Sequence, residues 1–267
     1  MKISVVIPTH DRAHVLTRAL NSVRAQTLAA QEVIVVDDGS RDDTRSILAS
    51  LFPECRYIYQ ANQGVSSARN RGIEAADCDW IALLDSDDEW LPGKLAAQKA
   101  QLESEPETRL CHTDEIWIRN GRRVNPRRRH AKHGGWMFRH CLPLCALSPS
   151  SVLIHRSVFE CVGQFDESLP ACEDYDLWLR ICAREPVLFV EQPQIAGRIV
   201  RAVNPDVILL QEQTDANTAE QIAKLLNAQS PRGDNRGGAG ERWTALLGAG
   251  GGGLSGRAIH PVAVRAV

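Results

Sequence analysis

Acidic side chains directly follow an apolar run in the segment Asp85-Ser86-Asp87-Asp88. The run itself, Ile81 to Leu84, is wholly apolar, as expected for a strand that is buried on both faces. A second acidic pair, Asp37-Asp38, follows the apolar residues Val33 to Val36 in the same way. Carboxylates that lie close together raise one another's pKa unless a cation or water screens them. A bound Mg²⁺ or Mn²⁺ would relieve that repulsion, and it could also hold an anionic diphosphate.

Turns and helix caps are the alternative explanation for these acidic residues. The residues Asp37-Asp38-Gly39-Ser40 are of types that favour a turn, and Asp42 could cap a following helix. The sequence leaves both interpretations open for that segment. In residues 85–88, by contrast, a tight turn would not require three carboxylates, so a binding role is favoured there.

A third acidic group lies far along the chain, in Glu173-Asp174-Tyr175-Asp176. Leu177, Trp178 and Ile181 give the following residues a helical apolar face, which places the acidic residues in the first turn of a helix. Helix capping could account for one or two of them. The deprotonation of a hydroxyl also requires a carboxylate beside a pocket. This group is therefore the best candidate for a general base.

The elements that position these residues follow from the periodicity of the first hundred residues. Short apolar runs alternate with segments of helical spacing. This alternation predicts a mostly parallel sheet with helices on both faces, in which ligands bind beyond the carboxyl ends of the strands. The predicted strands are Lys2 to Ile7, Glu32 to Val36, Arg56 to Gln60 and Trp80 to Leu84, and the predicted helices are Ala13 to Gln26, Asp42 to Leu51, Val65 to Ala76 and a segment from Pro92 to about Glu103.

Beyond these elements the pattern is more mixed. Strands are predicted at Leu110 to Arg119 and at Ser151 to His155, and a helix is predicted to begin after Cys172. A basic loop, Arg127 to His130, separates the two strands. The basic run Arg127 to His133 could touch an anionic acceptor or a membrane surface, or it could be a solvated loop.

The composition excludes several classes of protein. A chain of 267 residues with 43% hydrophobic residues and a net charge of -2 fits a globular α/β protein, and nothing in it suggests a nucleic-acid partner. No apolar window approaches the roughly eighteen residues of a transmembrane helix, and the N-terminus does not read as a secretory signal. We therefore expect a cytoplasmic protein. The glycine motifs of P-loop and dinucleotide-binding proteins are absent.

Taken in order, the motifs resemble family 2 glycosyltransferases of the GT-A fold, which is Rossmann-like. Each motif is weak alone, but the ordered set is specific and extends over about residues 1–193. The motifs are Val5 to Arg12, Val35 to Ser40 with Asp43-Thr44, Asn62-Gln63-Gly64, Ala68 to Gly72, Leu84 to Asp88, and Gly163 to Asp166 leading to Glu173 to Leu177.

The resemblance implies roles for individual residues. The donor, most simply a UDP-sugar, would be bound by Pro8, Thr9, Asp38, Asn70 and Asp85. Asp38 would accept a hydrogen bond from the base, and Asp85 would approach the ribose. Asp87, the second carboxylate of the D-x-D pair, would bind the divalent cation, and Asp174 would deprotonate the acceptor hydroxyl. His10 replaces a commoner aromatic residue of the family.

The activity that this implies is metal-dependent transfer of a sugar from a nucleotide-sugar to a carbohydrate or lipid-linked acceptor, as in cell-surface polysaccharide or lipopolysaccharide synthesis. A single proton-accepting carboxylate predicts inversion, because retention by double displacement needs a second carboxylate as nucleophile. Peripheral contact with the inner face of a membrane is compatible with this activity. Two alternatives remain: a sugar-phosphate nucleotidyltransferase, and a catalytically impaired GT-A-like protein that only binds nucleotides.

The last part of the chain differs from the rest. We predict a glycosyltransferase domain at residues 1–196, with a nucleotide-binding half at 1–105 and an acceptor half at 106–196. Residues 197–267 are Gly-rich and lack a sustained period, which predicts an irregular, flexible tail. Because related chains continue differently, the hypothesis is that this tail arises from a change of reading frame.

Overall fold

A computed structural model describes residues 1–119, 121–125 and 128–198 of the chain. The fold is α/β, as the sequence predicts, with a central sheet and surrounding helices. The strands are β1 (Ile3–Thr9), β2 (Glu32–Asp38), β3 (Arg56–Gln60), β4 (Trp80–Leu83), β5 (Glu89–Trp90), β6 (Leu110–Arg119), β7 (Arg122–Val124), β8 (Leu153–His155) and β9 (Leu188–Arg198). The α-helices are α1 (Ala13–Arg24), α2 (Thr44–Leu51), α3 (Val65–Ala75), α4 (Lys94–Ser104), α5 (Phe138–Cys141), α6 (Arg156–Val162) and α7 (Glu173–Cys182).

The sheet has the order β3-β2-β1-β4-β8-β6-β9-β5, and β7 pairs with β6. Strands β1 to β4 pair in parallel, so their carboxyl ends meet at one edge. Strand β8 is antiparallel to both β4 and β6, which means that β6 runs in the same direction as β4. The end of β6 therefore reaches the same edge of the sheet, and so does the end of β9, which is parallel to β6.

Two hydrophobic clusters cover the opposite faces of the sheet, as alternation along a strand requires. Val6 belongs to a cluster with residues of α3, α5, α6 and α7. Its neighbour Val5 belongs to the other cluster, with residues of α1, α2 and α4. Helices on both faces, which the β-α alternation predicts, are thus confirmed.

Helix α3 approaches β1 unusually closely. A Cβ placed at Gly72 would lie 2.2 Å from Cγ1 of Val6, so only glycine fits at this helix position. The close approach fixes the distance between α3 and β1. This distance matters because α3 carries Arg69 and Asn70, which enter the site described below.

Several predicted boundaries differ from the structure by one or two residues. Helix α1 ends at Arg24 rather than Gln26, and Ser151 belongs to a short 3-10 helix, Pro149–Ser151, that precedes β8. Arg128–His130 of the predicted basic loop form another such turn. The structure also contains elements that the periodicity did not indicate, namely β5, β7, α5, α6 and β9.

The predicted tail at residues 197–267 lies almost entirely outside the described residues, so its character and the hypothesis of a frame change stay predictions. The division of residues 1–196 into two halves likewise stays a prediction. In the described residues, no helix combines the length and the apolar character needed to cross a membrane.

Candidate active site

The loops after β1 and β2 lock together at the carboxyl edge of the sheet. The amide of Asp11 donates to Oγ of Ser40 at 2.9 Å, and the amide of Arg41 donates back to Oδ1 of Asp11 at 2.7 Å. Asp11 has a positive φ of 50°, which aspartate tolerates better than most residues. Oδ2 of Asp42 accepts from the amide of Ala13 at 2.8 Å, so the second loop also helps to begin α1.

Asp38 is buried and organises the loop that follows β3. Its Oδ1 accepts from Nε2 of Gln60 and from the amide of Gln63, both at 2.8 Å, and its Oδ2 accepts from the amide of Gly64 at 2.9 Å. Gly64 has a φ of 91°, a value that glycine adopts without strain. Asp38 therefore fixes the start of α3. Its predicted contact with a nucleotide base stays a prediction.

The turn interpretation holds for part of the segment that contains Asp37 and Asp38. Oδ1 of Asp37 accepts from the amide of Ser40, and Oδ2 accepts from the hydroxyl of Tyr57. Asp42 bonds both the amide and the hydroxyl of Thr44, the first residue of α2. These contacts show that Asp37 shapes the turn and that Asp42 bonds the start of α2 from one position before its N-cap, Asp43.

Pro8 and Thr9, both predicted to bind the donor, are buried at the end of β1. The hydroxyl of Thr9 is buried and has no hydrogen-bond partner in the described part of the chain. His10 is more exposed, and its Nδ1 lies 2.7 Å from the carbonyl oxygen of Asp38. The unsatisfied hydroxyl of Thr9 is a polar group that a bound donor could satisfy.

Each aspartate of the segment 85–88 has a different partner. Oδ1 of Asp85 accepts from Nη2 of Arg69 at 2.8 Å, and Oδ2 of Asp87 accepts from Nη1 of Arg12 at 2.8 Å. Oδ2 of Asp88 accepts from the hydroxyl of Ser150 at 2.6 Å. The same hydroxyl is the acceptor for the amide of Asp85 at 3.1 Å. The hydroxyl of Ser150 therefore holds both ends of the segment 85–88.

Arg69 joins two acidic motifs that are remote in sequence. Its guanidinium is buried and donates from Nη2 to Asp85 and from Nη1 to Oε1 of Glu173, the latter at 2.7 Å. Burial opposes the positive charge of Arg69, but Asp85 and Glu173 together raise its pKa above the usual arginine value. The segment after β4 and the start of α7 are therefore held against each other through one side chain.

Asn70 follows Arg69 on α3 and holds the segment that leads to α7. Its amide group donates to the carbonyl oxygen of Phe165 at 2.9 Å and to Oε1 of Glu167 at 2.8 Å, and its oxygen accepts from the amide of Phe165 at 3.0 Å. The structure thus gives Asn70 a clear role in positioning. Direct contact between Asn70 and the donor stays a prediction.

Asp174, the predicted base, lies in the first turn of α7 and is only half-buried. Its Oδ1 accepts from the amide of Tyr175 at 2.7 Å, and the thiol of Cys145 lies 3.7 Å from its Oδ2. Burial, followed by the negative charge of Glu173, raises the pKa of Asp174 to about 7, although Arg69 acts in the opposite direction. A carboxylate with such a pKa can exchange a proton near neutral pH.

The five aspartates that the sequence places at this edge do reach it. They do not form one cluster of unpaired carboxylates. Asp37, Asp38, Asp85, Asp87 and Asp88 each have their own hydrogen-bond donors. Relief of repulsion therefore does not depend on a cation, contrary to the electrostatic argument from sequence. Among the described residues, no three His, Cys, Asp or Glu side chains group as metal ligands. A cation at Asp87 stays a prediction.

Three residues of the site are not apparent from sequence: Arg12, Glu173 as the partner of Arg69, and Ser150. Arg69 itself stands beside the buried Ala68 on α3, but a one-dimensional pattern does not show which charged residue turns inward. The paired charges come from segments up to 104 positions apart, so only the folded chain brings them together.

Comparison with known proteins identifies the family and the fold of this chain. The family model "Glycosyl transferase family 2" matches residues 4–163. A second model, "Glycosyltransferase like family 2", matches residues 134–222 and so extends past residue 193, where the resemblance was expected to end. The uncharacterized glycosyltransferase RP339 of Rickettsia prowazekii is 30% identical over 214 residues, which are 78% of this chain and 67% of that protein.

A shorter match is the GalNAc(5)-diNAcBac-PP-undecaprenol beta-1,3-glucosyltransferase of Campylobacter jejuni, 37% identical over 106 residues, which are 37% of this chain and 34% of that protein. Among solved structures, S. aureus TarS 1-349 in complex with UDP-GlcNAc is similar with a TM-score of 0.71 and 18% identity. The match covers 92% of this chain and 70% of that chain. The structural likeness shows a shared GT-A fold, and the family match together with the RP339 relative shows that this chain belongs to glycosyltransferase family 2.

Proposed function

We propose that this chain transfers a sugar from a UDP-sugar to an acceptor hydroxyl with inversion, and that Asp174 is the base. The observation that carries the proposal is the double ion pair of Arg69, which joins Asp85 of the predicted donor site to Glu173, next to the predicted base. A donor held at Asp85 would therefore lie near a carboxylate able to deprotonate an incoming hydroxyl.

Inversion is supported by the pairing of the carboxylates around Arg69. Glu173 and Asp85 are both engaged by Arg69. This leaves Asp174 as the carboxylate suited to move a proton. The attacking hydroxyl loses its proton to Asp174 as its oxygen bonds to the anomeric carbon, and the bond from that carbon to the diphosphate breaks. Retention through a covalent intermediate would need a second, nucleophilic carboxylate.

The residues of the D-x-D segment fit a divalent cation, Mn²⁺ or Mg²⁺, at Asp87. Its Oδ2 pairs with Arg12, which leaves Oδ1 for a cation, and the side chain is 15% exposed. Magnesium commonly uses only one or two protein carboxylates and completes its shell with water and phosphate oxygens. When bound there, the cation would stabilise the negative charge of the departing diphosphate.

The donor class is supported by the solved relatives. TarS structures with the same fold are complexes with UDP and with UDP-GlcNAc. In this chain the buried hydroxyl of Thr9 has no partner among the described residues, and it lies at the end of the strand where a nucleoside is expected.

A lipid-linked or carbohydrate acceptor, as in cell-envelope synthesis, is the acceptor class that we propose. The Campylobacter jejuni relative is named for action on a glycan linked to undecaprenol through a diphosphate. Residues 116–159 of this chain contain no Asp or Glu, although they carry nine Arg or Lys residues. This positively charged segment within the acceptor half suits an acceptor that bears phosphate.

The same segment supports a cytoplasmic protein in peripheral contact with the inner face of a membrane. Arg122, Arg123 and Arg128 are exposed, and Trp136 is 66% exposed. The hairpin of β6 and β7 extends from the sheet edge at which the donor site is predicted. Arginine is attracted to anionic lipid, and tryptophan favours the interface. Sedimentation with anionic and neutral vesicles tests this: we expect Arg122→Gln with Arg123→Gln to weaken binding, and equal binding to both vesicles would contradict it.

The central experiment measures hydrolysis of UDP-sugars in the presence of Mn²⁺. A thermal-shift screen of nucleotide-sugars first identifies the donor, because a ligand that binds only the folded state raises its stability. We expect Asp87→Ala and Asp174→Ala to abolish turnover. Asp77→Ala is the matched control, since the side chain of Asp77 is 84% exposed and Asp77 precedes β4, at the end of the strand opposite to Asp85.

Metal-dependent nucleotide binding without turnover in the wild type would instead indicate a protein that only binds nucleotides. Formation of a nucleotide-sugar from a nucleoside triphosphate and a sugar phosphate would indicate a nucleotidyltransferase. Either result would contradict the proposed transfer.

A further inference from the structure

The buried ion pairs of Arg69 place a charge imbalance directly beside Asp174. Asp85 and Glu173 carry two negative charges, and Arg69 supplies one positive charge between them. The side chains of Arg69, Asp85 and Glu173 are 1%, 3% and 10% exposed. Charges that are shielded from water in this way act on one another more strongly than surface charges do.

Charged and titratable groups from four segments act on Asp174. Glu173 precedes it on α7 and pairs with Arg69 of α3, which also pairs with Asp85 after β4. The thiol of Cys145, in the segment after α5, lies 3.7 Å from Oδ2 of Asp174. Burial first, then Glu173 and Asp85, raise the pKa of Asp174, and Arg69 lowers it. Burial also raises the pKa of the Cys145 thiol, so Cys145 faces Asp174 as a neutral group.

We propose that Arg69 and Glu173 are positioning residues that act in opposite directions on the protonation of Asp174, and that their pairing fixes the pH range in which this base can accept a proton. The inference rests on the proposed function of Asp174. It assigns a task to two residues that touch neither the donor nor the acceptor in that proposal. Arg69 then has two partners with different roles: Asp85 belongs to the predicted donor site, and Glu173 precedes the predicted base.

The contacts of Arg69 hold its positive charge in one position. Its planar guanidinium can pair with two carboxylates at once, which a lysine ammonium does less well. Its carbon Cζ also lies 5.1 Å from the ring centre of Phe165. Phe165 is held in turn by Asn70, the neighbour of Arg69 on α3. The guanidinium is therefore confined by two ion pairs and one aromatic ring.

A purely structural ion pair would have a different consequence. Breaking it would lower the amount of folded protein and thereby scale the rate equally at every pH. A change in the protonation of the base would instead move the acidic limb of the pH profile of kcat/KM, which reports the essential base of the free enzyme. The two roles can thus be separated.

The first variant is Glu173→Gln, which keeps the shape of the side chain and an oxygen for Arg69 but removes the negative charge. We expect the acidic limb to move to lower pH by roughly 1 pH unit, as for the loss of a nearby like charge. Glu160→Gln is the matched control, because Glu160 is an exposed residue of α6. An unchanged limb in Glu173→Gln would overturn the proposal.

The second variant is Arg69→Gln, and it should move the limb in the opposite direction. Loss of the positive charge disfavours the charged form of Asp174, so we expect the rate at pH 6.5 to fall by roughly tenfold and to recover at higher pH. Arg45→Gln, an exposed arginine on α2, is the control. If Arg69→Gln does not fold, Glu173→Gln alone decides the question.

A titration without turnover separates failure of this inference from failure of the proposed function. The protein is labelled with ¹³C at the aspartate carboxyls, and the signal of Asp174 is assigned by its loss in Asp174→Asn. A lower titration midpoint in Glu173→Gln than in wild type supports the inference even if Asp174 is not the catalytic base. Equal midpoints would overturn it, whatever the activity of the variants.

Discussion

Nη1 of Arg12 lies 2.8 Å from Oδ2 of Asp87 and so joins the loop after β1 to the acidic segment after β4. Arg12 and Asp87 are partly exposed, at 24% and 15%. A cation that binds Asp87 must share the carboxylate with a guanidinium or displace it. The ion pair is therefore a competitor for the predicted metal.

Arg12→Gln should consequently tighten Mn²⁺ binding in the absence of donor. We expect a decrease in Kd of roughly threefold, which corresponds to about 0.6 kcal/mol and is typical of a partly exposed ion pair. Titration calorimetry with Mn²⁺ measures this directly. Arg24→Gln is the control, because Arg24 pairs with Glu54 on the surface. A weaker or unchanged affinity in Arg12→Gln would show that Arg12 does not compete with the metal.

The ionised side chain of Asp174 should lower the free energy of unfolding at neutral and alkaline pH. Its pKa is raised to about 7 in the folded chain, chiefly by burial and by Glu173, whereas an ordinary aspartate has a pKa of 3.8. Between these values the folded state binds more protons than the unfolded state, so the free energy of unfolding falls as the pH rises.

Asp174→Asn should therefore be more stable than wild type at pH 8 and nearly equal to it at pH 4. We expect a gain of about 1 kcal/mol or more at pH 8, and roughly 2–4 °C in Tm for each kcal/mol in a domain of this size. Thermal unfolding followed by circular dichroism at both pH values provides the measurement. A variant that is less stable than wild type at pH 8 would show that ionised Asp174 does not destabilise the folded state.

Lys94 is buried without a carboxylate partner in the described part of the chain. Its Nζ lies 2.8 Å from Oε1 of Gln98 and 4.1 Å from the ring centre of Trp90, and burial lowers its pKa to about 7. The unfolded state binds more protons than the folded state between this value and the ordinary lysine value of 10.5, so stability rises with pH in that window.

Lys94→Met, which keeps most of the volume, should remove that dependence. We expect the variant to gain about 1 kcal/mol or more at pH 7 and less at pH 10, because each pKa unit corresponds to about 1.4 kcal/mol. Urea unfolding at the two pH values tests this, with Lys99→Met on the same helix as control. Equal gains at both pH values would mean that packing, and not the charge, explains the change.

Asp38 should stabilise both the fold and the donor site. Its carboxylate accepts hydrogen bonds from Gln60 and from the amides of Gln63 and Gly64. Asp38→Ala leaves these buried donors unsatisfied, so we expect a loss of about 1–3 kcal/mol in the free energy of unfolding. UDP affinity, measured by calorimetry, should also fall. Asp77→Ala, at an exposed position before β4, should leave stability and affinity near wild type.

The sequence predicts the first half of the fold well because most strands there are short apolar runs that alternate with segments of helical spacing. The parallel arrangement then follows, and with it the convergence of Asp38 and Asp85 on one edge. The helix after Cys172 is also predicted, since Leu177 and Ile181 repeat at helical spacing.

The remainder depends on contacts between distant segments. Strand β9 is stabilised by pairing with β6 rather than by its own periodicity, and it contains Pro193 and Gly197. The inward position of Arg69 is determined by Asp85 and Glu173, which come from two other segments. A pairing of this kind has no local signal in the sequence, because it exists only when the fold brings the three side chains together.

The most direct test of the account compares the wild type with Asp174→Asn in two assays at pH 7.5 with Mn²⁺ and the donor identified by screening. We predict that Asp174→Asn binds UDP with a Kd within about threefold of wild type, while its rate of UDP release falls at least about 100-fold, as for the loss of a general base. Turnover within about threefold of wild type, with UDP binding intact, would contradict the assignment of Asp174 as the base.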